Sequence, residues 1–157
     1  MAMAEAGKSA GNQESACGAL GAAAVIPHLM IGDGKAAEAI EFYKKALGAE
    51  ELSRHSQPND SRIMHAAVKI GPSPIFLCDY FAEMGEMSKM RPPKMTSGGY
   101  STLLHVNTKD CDAAMQKAAA AGAKITMPAA NQFWGERYGQ LEDPYGYTWS
   151  FSGPIKA

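Results

Sequence analysis

The chain has no apolar run long enough to cross a membrane, no excess of either charge and almost no cysteine. Each absence removes a class of function. A membrane helix needs about 20 consecutive apolar residues, and here glycine, proline or a charged residue interrupts every apolar stretch, so no membrane partner is expected. Fifteen basic residues stand against 16 acidic ones, interspersed along 157 positions. That is not the clustered basic footprint that neutralises phosphates, so no nucleic-acid partner is expected. The three cysteines, Cys17, Cys78 and Cys111, lie far apart and form no CxxC pair and no zinc-ligand spacing with histidine. An odd, sparse set is no disulfide framework, and a reducing, cytoplasmic setting is the expectation.

What the chain does have is a repeat. Residues 25–80 and 101–153 each read as strand, helix, Gly-Ala and three more strands, with the Gly-Ala steps at Gly48-Ala49 and Gly122-Ala123. Two such units, each too small to bury its own apolar face, must pack together. The fold class expected is therefore α+β: two βαβββ modules in tandem, forming a curved, half-open mixed sheet around a cavity with the helices outside.

In the first module, residues 26–31 read as a strand. Ala36, Ala39, Ile40, Tyr43 and Leu47 then mark one stripe of a helix that Gly48 stops. Residues 51–55, 62–70 and 74–79 follow as strands. In the second, residues 101–107 read as a strand, Asp110 as the N-cap of a helix over 112–121, and residues 124–127 as a short strand. A hairpin of residues 133–141 and 147–151 closes the module across Asp143-Pro144-Tyr145-Gly146, where proline fixes one backbone angle and glycine accepts a positive one.

Residues 1–24 are small and aperiodic, with neither the apolar core of a secretory signal nor the arginines of a transit peptide, and are expected to be a disordered tail. The linker, residues 81–100, carries Met84, Met87, Met90 and Met95. Two readings stand: these methionines cap an open core edge, or they form an adaptable lid or binding loop.

The fragments Pro27-His28-Leu29, Asp33-Gly34-Lys35-Ala36, Glu38-Ala39-Ile40-Glu41-Phe42-Tyr43, Met64-His65-Ala66, Phe133-Trp134-Gly135, Arg137-Tyr138-Gly139 and Asp143-Pro144-Tyr145-Gly146 with Trp149 follow one another in order over residues 25–153. Together they resemble the vicinal oxygen chelate superfamily of glyoxalases, bleomycin-resistance proteins and dioxygenases, in its PhnB-like branch. The resemblance implies a homodimer and a small-molecule ligand. It also implies one divalent metal, Zn, Ni, Mn or Fe, held by two ligands from each module. His28, fourteen residues before Phe42, matches the first ligand position. The fifth-strand position falls on Leu103 or Ser101, with His105 displaced along the same strand. Ser150 replaces the final carboxylate, and Asp79 is the oxygen donor on strand four. Fewer than three ligands in fixed geometry make no competent site, so no metal is expected; were one present, His28 with Asp79 or His105 would hold it.

The cavity residues expected are His28, His105, Asp79, Trp134, Arg137, Trp149 and Ser150. For each, a structural role stands beside the functional one: a histidine bonded to its neighbours, an aromatic in the core, an arginine in solvent rather than on an anion. Three functions follow: a binding protein without a metal, a metal-dependent lyase, isomerase or dioxygenase, or an interaction module without a small-molecule site.

Overall fold

The computed structural model describes residues 25–87, 89–96 and 102–156. Ser101, the tail over 1–24 and part of the linker lie outside them. The first module holds β1 (His28–Ile31), α1 (Ala36–Leu47), β2 (Glu50–Ser56), β3 (Ile63–Ile70) and β4 (Ser73–Asp79). The second holds β5 (Leu104–Asn107), α2 (Cys111–Ala120), β6 (Lys124–Asn131), β7 (Glu136–Glu142) and β8 (Thr148–Pro154). The strands form two four-stranded sheets, ordered β1-β4-β3-β2 and β5-β8-β7-β6. In each, the first strand runs parallel to the last and the other pairs are antiparallel. The expected tandem βαβββ architecture is the observed one, and the two sheets do not close into a barrel.

Helix α1 forms for the reason its stripe suggests, with Ala36, Ala39, Ile40 and Tyr43 buried; Phe42 and Ala46 are buried with them, while Leu47 is only partly buried. It ends where Gly48 turns left-handed at φ 68° and the Gly48 and Ala49 amides bond back to Lys44 and Tyr43 carbonyls. Asp110 caps α2 by accepting the Ala113 amide at 3.1 Å. Lys35 gives α1 no such cap. The first-turn amide of Ala36 instead bonds to Asp79 Oδ1, from the end of β4, at 2.8 Å.

Strand β6 runs past Met127 through Pro128 to Asn131, further than expected. It lies at the edge of its sheet, where a proline costs no ladder bond. β7 begins only at Glu136, because the chain turns before it, with Gly135 at φ 91° and its amide on the Gln132 carbonyl. The linker contains two short 3-10 helices, Ala82–Met87 and Pro93–Met95. Met84, Met90 and Met95 are exposed, so these three do not cap the core.

Strand alternation gives each sheet two faces. Leu29, Ile31, Ala66, Val68, Ile75 and Leu77 face α1; Leu104, Leu141, Trp149 and Phe151 face α2; together they build one core spanning both modules. Polar bonds staple the modules within it. The Tyr43 hydroxyl donates to Asp143 Oδ2 at 2.9 Å, and the Tyr147 hydroxyl donates to the Met30 carbonyl at 2.9 Å while accepting the Met30 amide at 2.7 Å.

Candidate functional site

The faces turned away from the helices carry the histidines. On the first sheet, His28 of β1 packs edge-on against His65 of β3 and Phe76 of β4, with ring centroids 5.9 and 6.0 Å apart. His65 lies 4.7 Å from Phe76 and 6.3 Å from His55 on β2. Three of the four histidines thus form one row across four strands. Burial, then the neighbouring His65, lowers the pKa of His28; burial, then His55, lowers that of His65. Each ring resists the proton that its neighbour would also have to tolerate.

An imidazole whose folded pKa is depressed costs nothing while both states are neutral. Its contribution to stability is whole above the ordinary value of 6.5 and is lost as pH falls through the lowered folded values. Proton NMR titration is expected to place the His28 and His65 midpoints below 6.5. His65→Gln should move the His28 midpoint back upward, and an unmoved midpoint would remove His65 as a cause.

On the second sheet, His105 of β5 sits in a polar net. Its Nδ1 lies 2.8 Å from Ser150 Oγ, and its Nε2 lies 3.2 Å from both Asn107 Oδ1 and Ser152 Oγ. Ser150 and Ser152 are buried, whereas His105 is exposed, so the net is anchored from below and open above. Tyr138 lies nearly parallel to the His105 ring, with centroids 6.3 Å apart and planes 14° apart. Trp134 stands edge-on to Tyr138 at 5.7 Å and donates to Glu136 Oε2 at 3.2 Å. Gln140 reaches the Tyr138 hydroxyl at 2.9 Å. A half-exposed tryptophan, a tyrosine and a histidine thus form a continuous aromatic ledge over buried hydroxyls.

Of the expected cavity residues, the structure brings His105, Ser150 and Trp134 into this constellation. His28 lies on the other module's face, and no hydrogen bond or ring contact joins it to His105. Three others lie off both faces. Trp149 is in the core, its indole N–H donating to Asp143 Oδ2 at 2.9 Å. Arg137 points to the helix side, where its fork grips Asp112 of α2, with Nη2 2.7 Å from Oδ1. Asp79 is 1% exposed, and its two oxygens accept the Ala36 and Ile63 amides at 2.8 and 2.7 Å. The cause is the period of two: Trp149 precedes Ser150 and Arg137 precedes Tyr138, so neighbours in sequence face opposite ways. The same period reveals residues that sequence reasoning missed. Asn107 shares a face with His105, and Ser152 with Ser150, each two positions on.

The donor set does not fit the divalent metal that the resemblance implies. Both ring nitrogens of His105 are engaged with Ser150, Ser152 and Asn107, and Asp79 is committed to two backbone amides on the far side of its sheet. Among the described residues, no three of histidine, cysteine, aspartate and glutamate stand close enough to share a metal.

The family model of the glyoxalase/bleomycin resistance protein/dioxygenase superfamily matches residues 25–151. A Mycobacterium bovis protein of unassigned function is 38% identical over 133 residues, covering 85% of this chain and 84% of the relative. The crystal structure of an Arabidopsis thaliana gene product superimposes with a TM-score of 0.65 at 25% identity, covering 83% of this chain and 98% of that one. A Bacillus cereus PhnB protein, described as a putative 3-demethylubiquinone-9 3-methyltransferase, shares the fold with a TM-score of 0.58 at 20% identity, over 82% of this chain and 97% of its own. Together with the tandem modules described above, these matches establish that the chain belongs to the glyoxalase/bleomycin resistance protein/dioxygenase superfamily.

Proposed function

We propose that the protein binds a small, flat organic molecule on the ledge of the second module, without a metal, and works as a homodimer. The observation that carries this reading is the His105 net: a polar anchor held by Ser150, Ser152 and Asn107, beside the half-buried ring of Tyr138 and the exposed ring of Trp134. Specific ligand sites combine a few fixed polar groups with apolar and aromatic walls, and this ledge has both. The ring stack offers a face to a planar ligand, and the imidazole offers it a hydrogen bond. A second copy would supply the remaining wall, because one chain leaves the His28 and His105 faces without contact.

Trp134 is 49% exposed and Trp149 is 2% exposed, so ligand-dependent fluorescence reports mainly on the ledge. Titration with a panel of planar aromatic compounds is expected to quench the emission saturably, to the same extent with and without EDTA. The quenching should vanish in Trp134→Phe. A panel that neither quenches nor raises the melting temperature would reject the binding reading.

A further inference from the structure

Between the modules, on the helix side of the sheets, runs an open cleft of about 810 Å³. One wall is the last turn of α1, with Leu47, and the β3–β4 turn; the other is the edge of β5 over residues 103–108, with Ala114 of α2 and the aromatic surface of Trp149 and Phe151. Lys117 is the one formally charged side chain among its described lining residues.

The cleft exists because the repeat is imperfect at one place. β1 and β5 are both edge strands, each pairing on one side only among the described residues. Along β1, the carbonyls of Pro27, just before the strand, and Ile31 accept the amides of Phe76 and of Tyr80, just past β4, so Met30 faces outward, and the Tyr147 hydroxyl satisfies both its amide and its carbonyl. On β5, the Thr108 amide bonds to the Ser152 carbonyl at 2.8 Å. By alternation Val106 also faces β8, which leaves the amides and carbonyls of His105 and Asn107 directed outward along the cleft. Among the described residues, no tyrosine hydroxyl bonds to them as Tyr147 bonds to Met30. The residue that stands where Tyr147 does, three positions before the partner of the strand's histidine, is Ser73, whose side chain is far shorter than a tyrosine's.

We propose that residues 17–24 of the same chain lie along β5 as an added strand, pairing with the outward amides and carbonyls of His105 and Asn107. The described chain begins at Val25, an exposed residue at the mouth of this cleft, which Pro27 also lines, so the residues just before start beside it. Their sequence, Cys-Gly-Ala-Leu-Gly-Ala-Ala-Ala, has no charge, no proline and no side chain bulkier than Leu20, which suits an apolar cleft. Eight extended residues span roughly 26 Å, more than enough to run the roughly 13 Å of the four-residue β5 edge. An unpaired strand edge is a template for such pairing, and a strand supplied in cis also blocks edge-to-edge aggregation.

The test is amide hydrogen exchange by NMR on the full chain, the Leu20→Asp chain and the Ala22→Pro chain. The expected result is protection of the His105 and Asn107 amides in the parent. Their exchange should be about tenfold or more faster in both variants, while Thr108, bonded to β8, changes little. Free exchange of His105 and Asn107 in the parent overturns the proposal. So does protection that survives both substitutions. Protection that falls on dilution, together with a dimer by light scattering, gives the edge to a second copy and also overturns it.

Discussion

Asp143→Ala is expected to lower the free energy of unfolding by about 3–5 kcal/mol, the range seen when a buried charged hub loses its bonds. Four donors converge on this carboxylate: the Tyr145 and Tyr147 amides on Oδ1, and the Trp149 indole and Tyr43 hydroxyl on Oδ2, all at 2.9 Å. Burial holds the Asp143 carboxyl above the usual range, and the bond from Trp149 is first among those that pull it back. Alanine removes all four acceptor contacts at once and leaves the donors inside the core, each costing about 1–3 kcal/mol if unmet. Asp143→Asn separates the causes. Its amide nitrogen cannot accept as the carboxylate oxygen does, so part of the loss should persist although the cost of burying a charge is relieved. Urea unfolding followed by circular dichroism measures both variants, and a loss under about 1 kcal/mol for Asp143→Ala would show the hub to be replaceable by water.

The second large effect is expected at Asp79. Resemblance assigns this residue a place near a metal; the structure gives it two backbone amides instead. It caps α1, whose own N-cap position holds Lys35 without a side-chain bond, and it ties the start of β3 to the end of β4. Asp79→Ala should cost about 2–4 kcal/mol, since the cap and a second buried amide are lost together. Asp79→Asn retains acceptor capacity through one oxygen and should cost less. Unfolding transitions and the exchange rates of the Ala36 and Ile63 amides give the readout. Unchanged exchange at both positions in Asp79→Ala would mean that the carboxylate is not their partner.

These two residues show where sequence was legible. The Asp-Pro-Tyr-Gly turn is read correctly as a turn, because proline and glycine act on their own backbone. What Asp143 does beyond it depends on Tyr43, one hundred positions away, and local chemistry carries no trace of that bond. The repeat, the α1 stripe, the Gly48 stop and the Asp110 cap are likewise local, and they appear in the structure as expected. Asp79 was ambiguous because a buried carboxylate at a strand end looks the same in sequence whether it meets a metal or a helix N-terminus.

The candidate site was half legible for a different reason. His105 and Ser150 are both expected at the cavity from sequence, and the parallel β5–β8 ladder is what sets them side by side. Residue type alone points Trp149 and Arg137 to the site, and strand alternation places each on the face opposite the ledge. His65 and His55 joined His28 only when β2, β3 and β4 were in register. Register is a long-range property and does not follow from the composition of any one strand.

On the proposed reading, the ledge of the second module binds an organic molecule without a metal. The most direct test is calorimetric titration of the metal-analysed protein with the compound that best quenches Trp134, in the presence of EDTA, alongside His105→Ala and Tyr138→Ala. The account predicts saturable binding that EDTA leaves intact and that falls at least tenfold in each variant, while His28→Ala alters the metal content of the sample not at all. Stoichiometric Zn, Ni, Mn or Fe in the purified protein, lost in His28→Ala and required for binding, would contradict it.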